Sequence, residues 1–320
     1  MDYIFTVFSQ IIILFVLIAV GFALSKARLV TVIGTKQITN ILFYVVTPVV
    51  IIDAMRQAQL DARSVELLVS GVIAGAASFI VCIPLSLLFF RKTEHSRKMA
   101  LRFCMIFPNV GYFSLPLAKS LCGNEGVLIC SAFIVVFNIF AFTYGISMFK
   151  SGVKPIKVLV NPGTAGLAIG LSLLVIKGFL PETVFQPAEI LSGANPSSLL
   201  NAPLTFIAGM NTPLAMIVTG VHLQNTSMKI GRKDLDKFLV AAMRLAVLPW
   251  LALGICYALG LRGISLMAAA VPLFAPAASS GVMLATKYGG DTKTVSKTLP
   301  LTTLISGLTM PVMLGLVRLL

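Results

Sequence analysis

Apolar runs about twenty residues long, separated by short polar stretches, recur along the whole chain. A helix needs about 20 apolar residues to cross the hydrocarbon of a bilayer. On that rule the pattern predicts ten helical segments, near 4–24, 38–58, 65–90, 99–121, 126–149, 156–176, 202–224, 237–260, 264–286 and 295–318. Two of the runs are interrupted. The fourth contains Phe107-Pro108-Asn109-Val110-Gly111, and the ninth contains Ala275-Pro276-Ala277-Ala278-Ser279-Ser280-Gly281. Proline and glycine at these points break a helix in mid-membrane. Non-helical backbone at that depth is tolerated only where it is buried in protein or lines a cavity. Paired breaks in the two halves of a membrane protein are a sequence pointer to a transport site.

Composition supports a membrane protein. Of 320 residues, 58% are hydrophobic and 11% charged, and mean hydropathy is +0.97. A soluble domain of this length could not hide so much apolar surface. The net charge of +14 would suggest nucleic acid in a soluble protein. Here the basic residues sit in short loops and act as topology signals, and no basic patch interleaved with aromatics points to nucleic acid. Seventeen basic residues follow the odd-numbered segments, among them Lys26, Arg91, Lys150, Lys229 and Lys287, whereas six lie on the other side. The bias places the odd loops in the cytoplasm and both termini outside. The expected location is the plasma membrane, crossed many times. The five cysteines form no CxxC pair and read as small packing residues. The N-terminal run reads as a retained span, not a cleaved leader. The stretch 177–201, with Pro181, Pro187, Gly193 and Pro196, predicts an irregular cap.

The two halves repeat. Thr47-Pro48 recurs as Thr212-Pro213 and Pro84 as Pro249, both at an offset of 165. Pro108 recurs as Pro276, Lys119 as Lys287, and Asn138 falls opposite Ser306, all at 168. Five segments per half is an odd number, so the second half runs inverted through the membrane. The expected fold is an all-α membrane protein of ten transmembrane helices in two inverted five-helix repeats, with broken helices 4 and 9. In that arrangement the second half-helices of segments 4 and 9 start near mid-membrane and run to opposite surfaces. Each presents backbone N–H groups and a positive dipole end, which suits an anion, especially a carboxylate. Pro108 pushes Phe107 towards an extended conformation.

At the level of motifs the chain resembles the auxin efflux carrier family. The matching residues are Asn40 and Pro48, Pro108-Asn109-x-Gly111 with Leu115-Pro116, Asn138, Asn161-Pro162, Asn211-Thr212-Pro213-Leu214 with Gly220, and Tyr288-Gly289-Gly290-Asp291. The resemblance covers essentially the whole chain. It implies a fold shared distantly with bile acid–sodium symporters, in which helices 4 and 9 cross at their breaks. It also implies two domains. A scaffold of helices 1, 2, 6 and 7 takes residues 1–60 and 155–226, and in this family often forms a homodimer. A transport domain of helices 3–5 and 8–10 takes 61–154 and 227–320 and moves like an elevator. Bacterial relatives are assigned to small organic acids such as malate or malonate, and plant ones to auxin. Many relatives carry a polar residue where Ala277 and Ala278 stand here; Ser279 and Ser280 are the candidate substitutes.

Each candidate residue has a structural alternative. Asn109 contacts substrate or merely caps the break. Pro108, Gly111, Pro276 and Ala277 shape the crossing. Ser279 and Ser280 offer hydroxyls or allow close packing. Asp53 is a proton-coupling carboxylate or an i,i+3 ion pair with Arg56 at the headgroup level, the second being favoured. Asn138 and Ser306 support the site or bond between helices; Thr47 and Thr212 are candidates for support or ion coupling. Arg102 and Arg244 read as snorkelling anchors more readily than as anion attractors. Lys119 and Lys287 stabilise helix C-termini. No enzyme motif is present: HExxH, a Walker loop and GxSxG are all missing, and no histidine has a metal-ligating partner at suitable spacing. No cofactor or metal is expected. The reading is therefore a secondary transporter of a small organic anion, with a proton or sodium left open as coupling ion. A sodium symporter of the bile-acid type, a non-transporting sensor and a channel remain as alternatives.

Overall fold

A computed structural model describes residues 2–57, 61–150, 162–177, 196–225 and 234–320. Most of the cap expected across 177–201, and the basic residues Lys154, Lys157, Lys229, Arg232 and Lys233, lie outside the described residues. All regular structure among the described residues is helical. The first part comprises α1 (Asp2–Lys26), α2 (Val32–Ile41), α3 (Thr47–Gln57), α4 (Ala62–Leu87), α5 (His95–Ile106), α6 (Leu115–Phe140) and α7 (Ile146–Phe149). The second comprises α8 (Pro162–Lys177), α9 (Pro196–Gly209), α10 (Asn211–Gln224), α11 (Leu235–Ala242), α12 (Leu248–Ala258), α13 (Gly263–Leu273), α14 (Ser280–Tyr288) and α15 (Thr292–Val317).

Among the described residues, seven helical stretches are long and apolar enough to cross a membrane: Phe8–Lys26, Ile33–Asp53, Ala62–Leu87, Val110–Phe149, Asn201–Gln224, Leu235–Ala258 and Thr292–Val317. The chain is a multi-pass membrane protein. Among the described residues, three of the ten expected segments do not form a single helix of spanning length. Segment 4 is split between α5 and the start of α6, and segment 9 between α13 and α14. Segment 6 is represented by the 16 residues of α8. Segments 4 and 5 share α6, whose direction changes at Gly123 (φ 58°, ψ −143°). Only glycine adopts that backbone readily.

Among the described residues, four widened π-turns interrupt the helices, at Leu42–Val46, Val110–Ser114, Ala141–Gly145 and Met243–Val247. Three of them run directly into an X-Pro step: Thr47-Pro48, Leu115-Pro116 and Leu248-Pro249. A proline inside a helix removes one N–H and its ring clashes with the carbonyl four residues back. Widening the preceding turn accommodates the ring without ending the helix. At the first of these, the Thr47 hydroxyl donates to the Leu42 carbonyl at 2.8 Å, satisfying a carbonyl that lies in the widened turn.

Packing pairs α1 with α10 and α3 with α8, while α4 and α13 both lie on α6 and α12 lies on α4. The α1–α10 contact needs bare backbone. A Cβ on Gly21 would stand 2.2 Å from the Ile217 carbonyl oxygen, and one on Gly220 would stand 2.0 Å from that of Ile18. Small residues at such contacts let helices approach closely where lipid gives no hydrophobic drive to association. The outward face of α1 carries Ile12, Ile13, Val16 and Val20, each exposed. Large aliphatic side chains there face lipid, where a soluble fold would place polar ones.

Candidate functional site

The two breaks meet. Phe107 leaves α5 in the extended conformation that its following proline imposes (φ −95°, ψ 114°). Pro108 and Ala277 then form an isolated antiparallel bridge. Asn109 N–H donates to the Pro276 carbonyl at 2.8 Å, and Ala278 N–H donates to the Phe107 carbonyl at 2.9 Å. Proline suits the position between these bonds, because the bridge asks no donor of it. A third amide, Ala277 N–H, donates to the Thr302 hydroxyl of α15 at 3.2 Å. Phe107 is fully buried, stacked on Phe103 at 4.4 Å and tilted against Phe79 at 5.3 Å. The junction is thus fastened by backbone pairing and by an aromatic plug.

This corrects one step of the sequence reading. N–H groups at the breaks are expected to be free for a ligand, yet those of Asn109, Ala277 and Ala278 are consumed in holding the junction together. Buried amides rarely stay unpaired, and the neighbouring break supplies the nearest acceptors. What remains available is a set of side chains.

Beside the junction lies a cavity of about 60 Å³, room for only a few waters. Pro108, Asn109, Gly111, Ser279, Ser280, Asn138 and Thr47 all line it. Phe43, Tyr112 and Phe137 form aromatic walls, and no charged side chain lines it. Asn109 and Asn138 are 4% and 6% exposed, and neither amide has a hydrogen-bond partner among the described residues. The Ser280 hydroxyl is buried and likewise without a partner. Left unpaired, that buried polar atom costs about 1–3 kcal/mol. With the partnerless amides of Asn109 and Asn138 beside the same cavity, it forms a place suited to a polar occupant.

Other expected site residues fall elsewhere. Pro276 and Ala277 belong to the junction through their backbone and do not line the cavity. Ser306 is fully buried, donates to the Thr303 carbonyl at 2.7 Å, and does not line it either. Asp53 and Thr212 line a second, larger cavity of about 210 Å³, together with Lys119, Asn124, Thr205 and Asn211. There Asp53 accepts from Arg56 at 2.7 Å, with both side chains buried. The i,i+3 pair forms as expected, with both side chains buried in the protein.

Arg244 also departs from expectation. It is fully buried in the π-turn between α11 and α12, and does not snorkel. Its guanidinium donates to the carbonyls of Ile106 and Ala275, each at 3.2 Å, and to that of Leu273. It also reaches the Cys82 sulfur at 3.9 Å. Ile106 ends α5 and Leu273 ends α13, so one side chain gathers the orphaned carbonyls of both first half-helices. The signal was present in the sequence: Arg244 stands about 10 Å beyond the polar start of its span at 1.5 Å per residue, deep for an anchor. Arg102 behaves more simply, donating to the Leu87 and Phe89 carbonyls at 2.9 Å and capping the end of α4. Neither Thr302 nor Asn211, which donates to the Gly111 carbonyl at 3.0 Å, carried a sequence signal for its contact with a break.

Comparison with known proteins agrees with this architecture. The family described as membrane transport protein matches residues 6–158 and 151–314. An uncharacterized transporter from Methanothermobacter thermautotrophicus is 22% identical over 303 residues, covering 92% of this chain and 93% of that protein. With helices throughout, seven stretches of membrane-spanning character and a family match along nearly its entire length, the chain belongs to the auxin efflux carrier-type family of membrane transport proteins.

Proposed function

We propose that this protein is a secondary transporter that carries a small organic anion across the plasma membrane, and that the cavity at the junction is its cargo site. The carrying observation is the convergence of Asn109, Asn138 and Ser280 on that cavity with no partners among the described residues. The Asn109 and Asn138 amides can donate to a carboxylate, and the Ser279 and Ser280 hydroxyls add further donors. Gly111 bares the backbone where the second half-helix begins: a Cβ there would meet nothing within 4 Å. The site is an assembly of dipoles and is not an enzyme's acid–base pair.

The reading extends to architecture. Ten passes in two inverted repeats account for the reciprocal packing of α1 on α10 and α3 on α8. A scaffold of 1–60 and 155–226 and a mobile group of 61–154 and 227–320 place the cavity between Phe43 and Thr47 of the scaffold and the junction of the mobile group. The ion pairs Arg63–Glu125 and Arg97–Asp236 each tie parts of the mobile group to one another. The Asn211–Gly111 bond crosses from scaffold to junction, and an elevator movement must break it. The charge bias of the loops supports extracytoplasmic termini.

Proteoliposomes loaded with purified protein test the function. Saturable uptake of labelled malate, malonate or indole-3-acetate is expected, with strong loss in Asn109→Ala. No flux of any of these acids sinks the carrier reading, and unchanged flux in Asn109→Ala sinks the site. Sodium dependence of uptake separates a symporter from an uncoupled or proton-linked carrier.

A further inference from the structure

A broken helix brings two dipole ends to its break. The second half contributes a positive N-terminus, but the first half contributes a negative C-terminus only a few residues away. At a junction of two such helices the four ends nearly cancel. The half-helix N-termini therefore do not by themselves give the cavity a sign.

Arg244 removes that cancellation. Its guanidinium sits on the carbonyls of Ile106 and Leu273, the negative ends of α5 and α13, and on that of Ala275 in the second break. No carboxylate among the described residues pairs with it; its remaining partner is the Cys82 thiol. No such counter-charge stands at the positive ends at Val110–Ser114 and Ser280, since no charged side chain lines the cavity beside them. The charge itself lies close, since Ile106 is two residues from Pro108 and Ala275 three from Ala278, both of which line the cavity. At up to about 3.6 Å per residue that is roughly 10 Å.

We infer that Arg244 sets the electrostatic sign of the junction cavity, and so selects an anion over a cation or neutral cargo without touching it. It is a positioning and specificity-determining residue. This deepens the carrier reading and rests on it for the cargo, but the potential it describes can be measured without any cargo.

The test uses the full chain with its five native cysteines replaced and Ser279→Cys as a reporter at the cavity. The reporter is modified with an anionic methanethiosulfonate (sulfonatoethyl) and a cationic one (trimethylammonioethyl). Each rate is divided by that reagent's rate with a free thiol in solution. The anion-to-cation ratio cancels changes in thiol reactivity and in access that both reagents share. A unit charge roughly 10 Å away in a partly buried site gives a preference of about tenfold or more. Arg244→Gln should bring the ratio near one, and Arg244→Lys should restore most of it. Because Arg244→Gln can fail to fold, Cys82→Asp serves as a second variant. It places a carboxylate beside the guanidinium, neutralising its charge while leaving the clamp on the carbonyls, and should also collapse the ratio. A ratio near one in the Ser279→Cys parent, a high ratio that survives either neutralising variant, or no reaction with either reagent overturns the inference. If the ratio behaves as stated but no organic acid is carried, the carrier reading fails alone. If malate is carried but the ratio does not respond, Arg244 is structural only.

Discussion

The two breaks meet at one bridge yet bring different chemistry to it. The first carries Pro108 and Asn109, whose amide points at the cavity with no protein partner. The second carries Ala277 and Ala278, whose side chains offer nothing polar, and spends its backbone on the bridge and on Thr302. The first break therefore brings a partnerless amide to the cavity, whereas the second has its backbone amides satisfied and keeps one unpaired hydroxyl, that of Ser280. A polar group held unpaired in the interior costs stability and is kept for what it binds; a satisfied one is kept for what it holds. On the proposed function, the difference divides the junction into a half that binds and a half that braces.

The largest test removes what both halves share. Arg244→Met strips the carbonyls of Ile106, Leu273 and Ala275 of their donor. It should cost about 3 kcal/mol or more, read as a clear fall in the unfolding midpoint in detergent. Asn109→Ala should do the opposite: uptake falls by about tenfold to a hundredfold, the worth of one or two charge-assisted hydrogen bonds, while the melting temperature barely moves. A large loss of stability in that variant would erase the distinction between the halves. Thr302→Val should lower stability by about 1–2 kcal/mol, because the Ala277 amide is left without its acceptor. Unfolding of that variant against wild type checks the bracing role. Ser280→Ala deletes a hydroxyl with no partner, so stability should hold or rise slightly and uptake should change less than about threefold. A loss as large as that of Asn109→Ala would make the second half an equal contributor to binding.

The smallest effect lies away from the junction and serves as a control. Asp61 caps α4 by accepting from the Ser64 N–H at 2.7 Å. That bond holds its carboxyl below the ordinary value of 3.8. A depressed folded-state value stabilises the protein above the unfolded one and is lost as pH falls through the folded one. Acid melting curves below about pH 4 should therefore be shallower in Asp61→Ala, with uptake at neutral pH unchanged.

Much of the fold was legible in the sequence, because in lipid the rule for a helix is short: about 20 apolar residues with every backbone bond satisfied internally. The breaks were legible as well, since Pro108 and Pro276 act through local sterics on Phe107 and Ala275. Asn109, Ser279 and Ser280 were named from the breaks and Asn138 and Thr47 from the repeat, and all five share one cavity. Ser306 and Thr212, named from the repeat, and Asp53, named as a carboxylate within a span, do not line it. A place in a sequence repeat does not give the direction in which a side chain points around its helix.

By itself, then, the sequence determined where helices run, where they stop and which polar residues lie at mid-depth, all of which follow from neighbours along the chain. Only the tertiary structure decided that the free amides at the breaks are consumed by each other. It also decided that Thr302 braces the second break, and that Arg244 turns inward to hold the ends of two half-helices instead of reaching for the membrane surface. These outcomes depend on which carbonyl, across 31 or 138 residues of chain, happens to lie within hydrogen-bond reach, and no local rule carries that information.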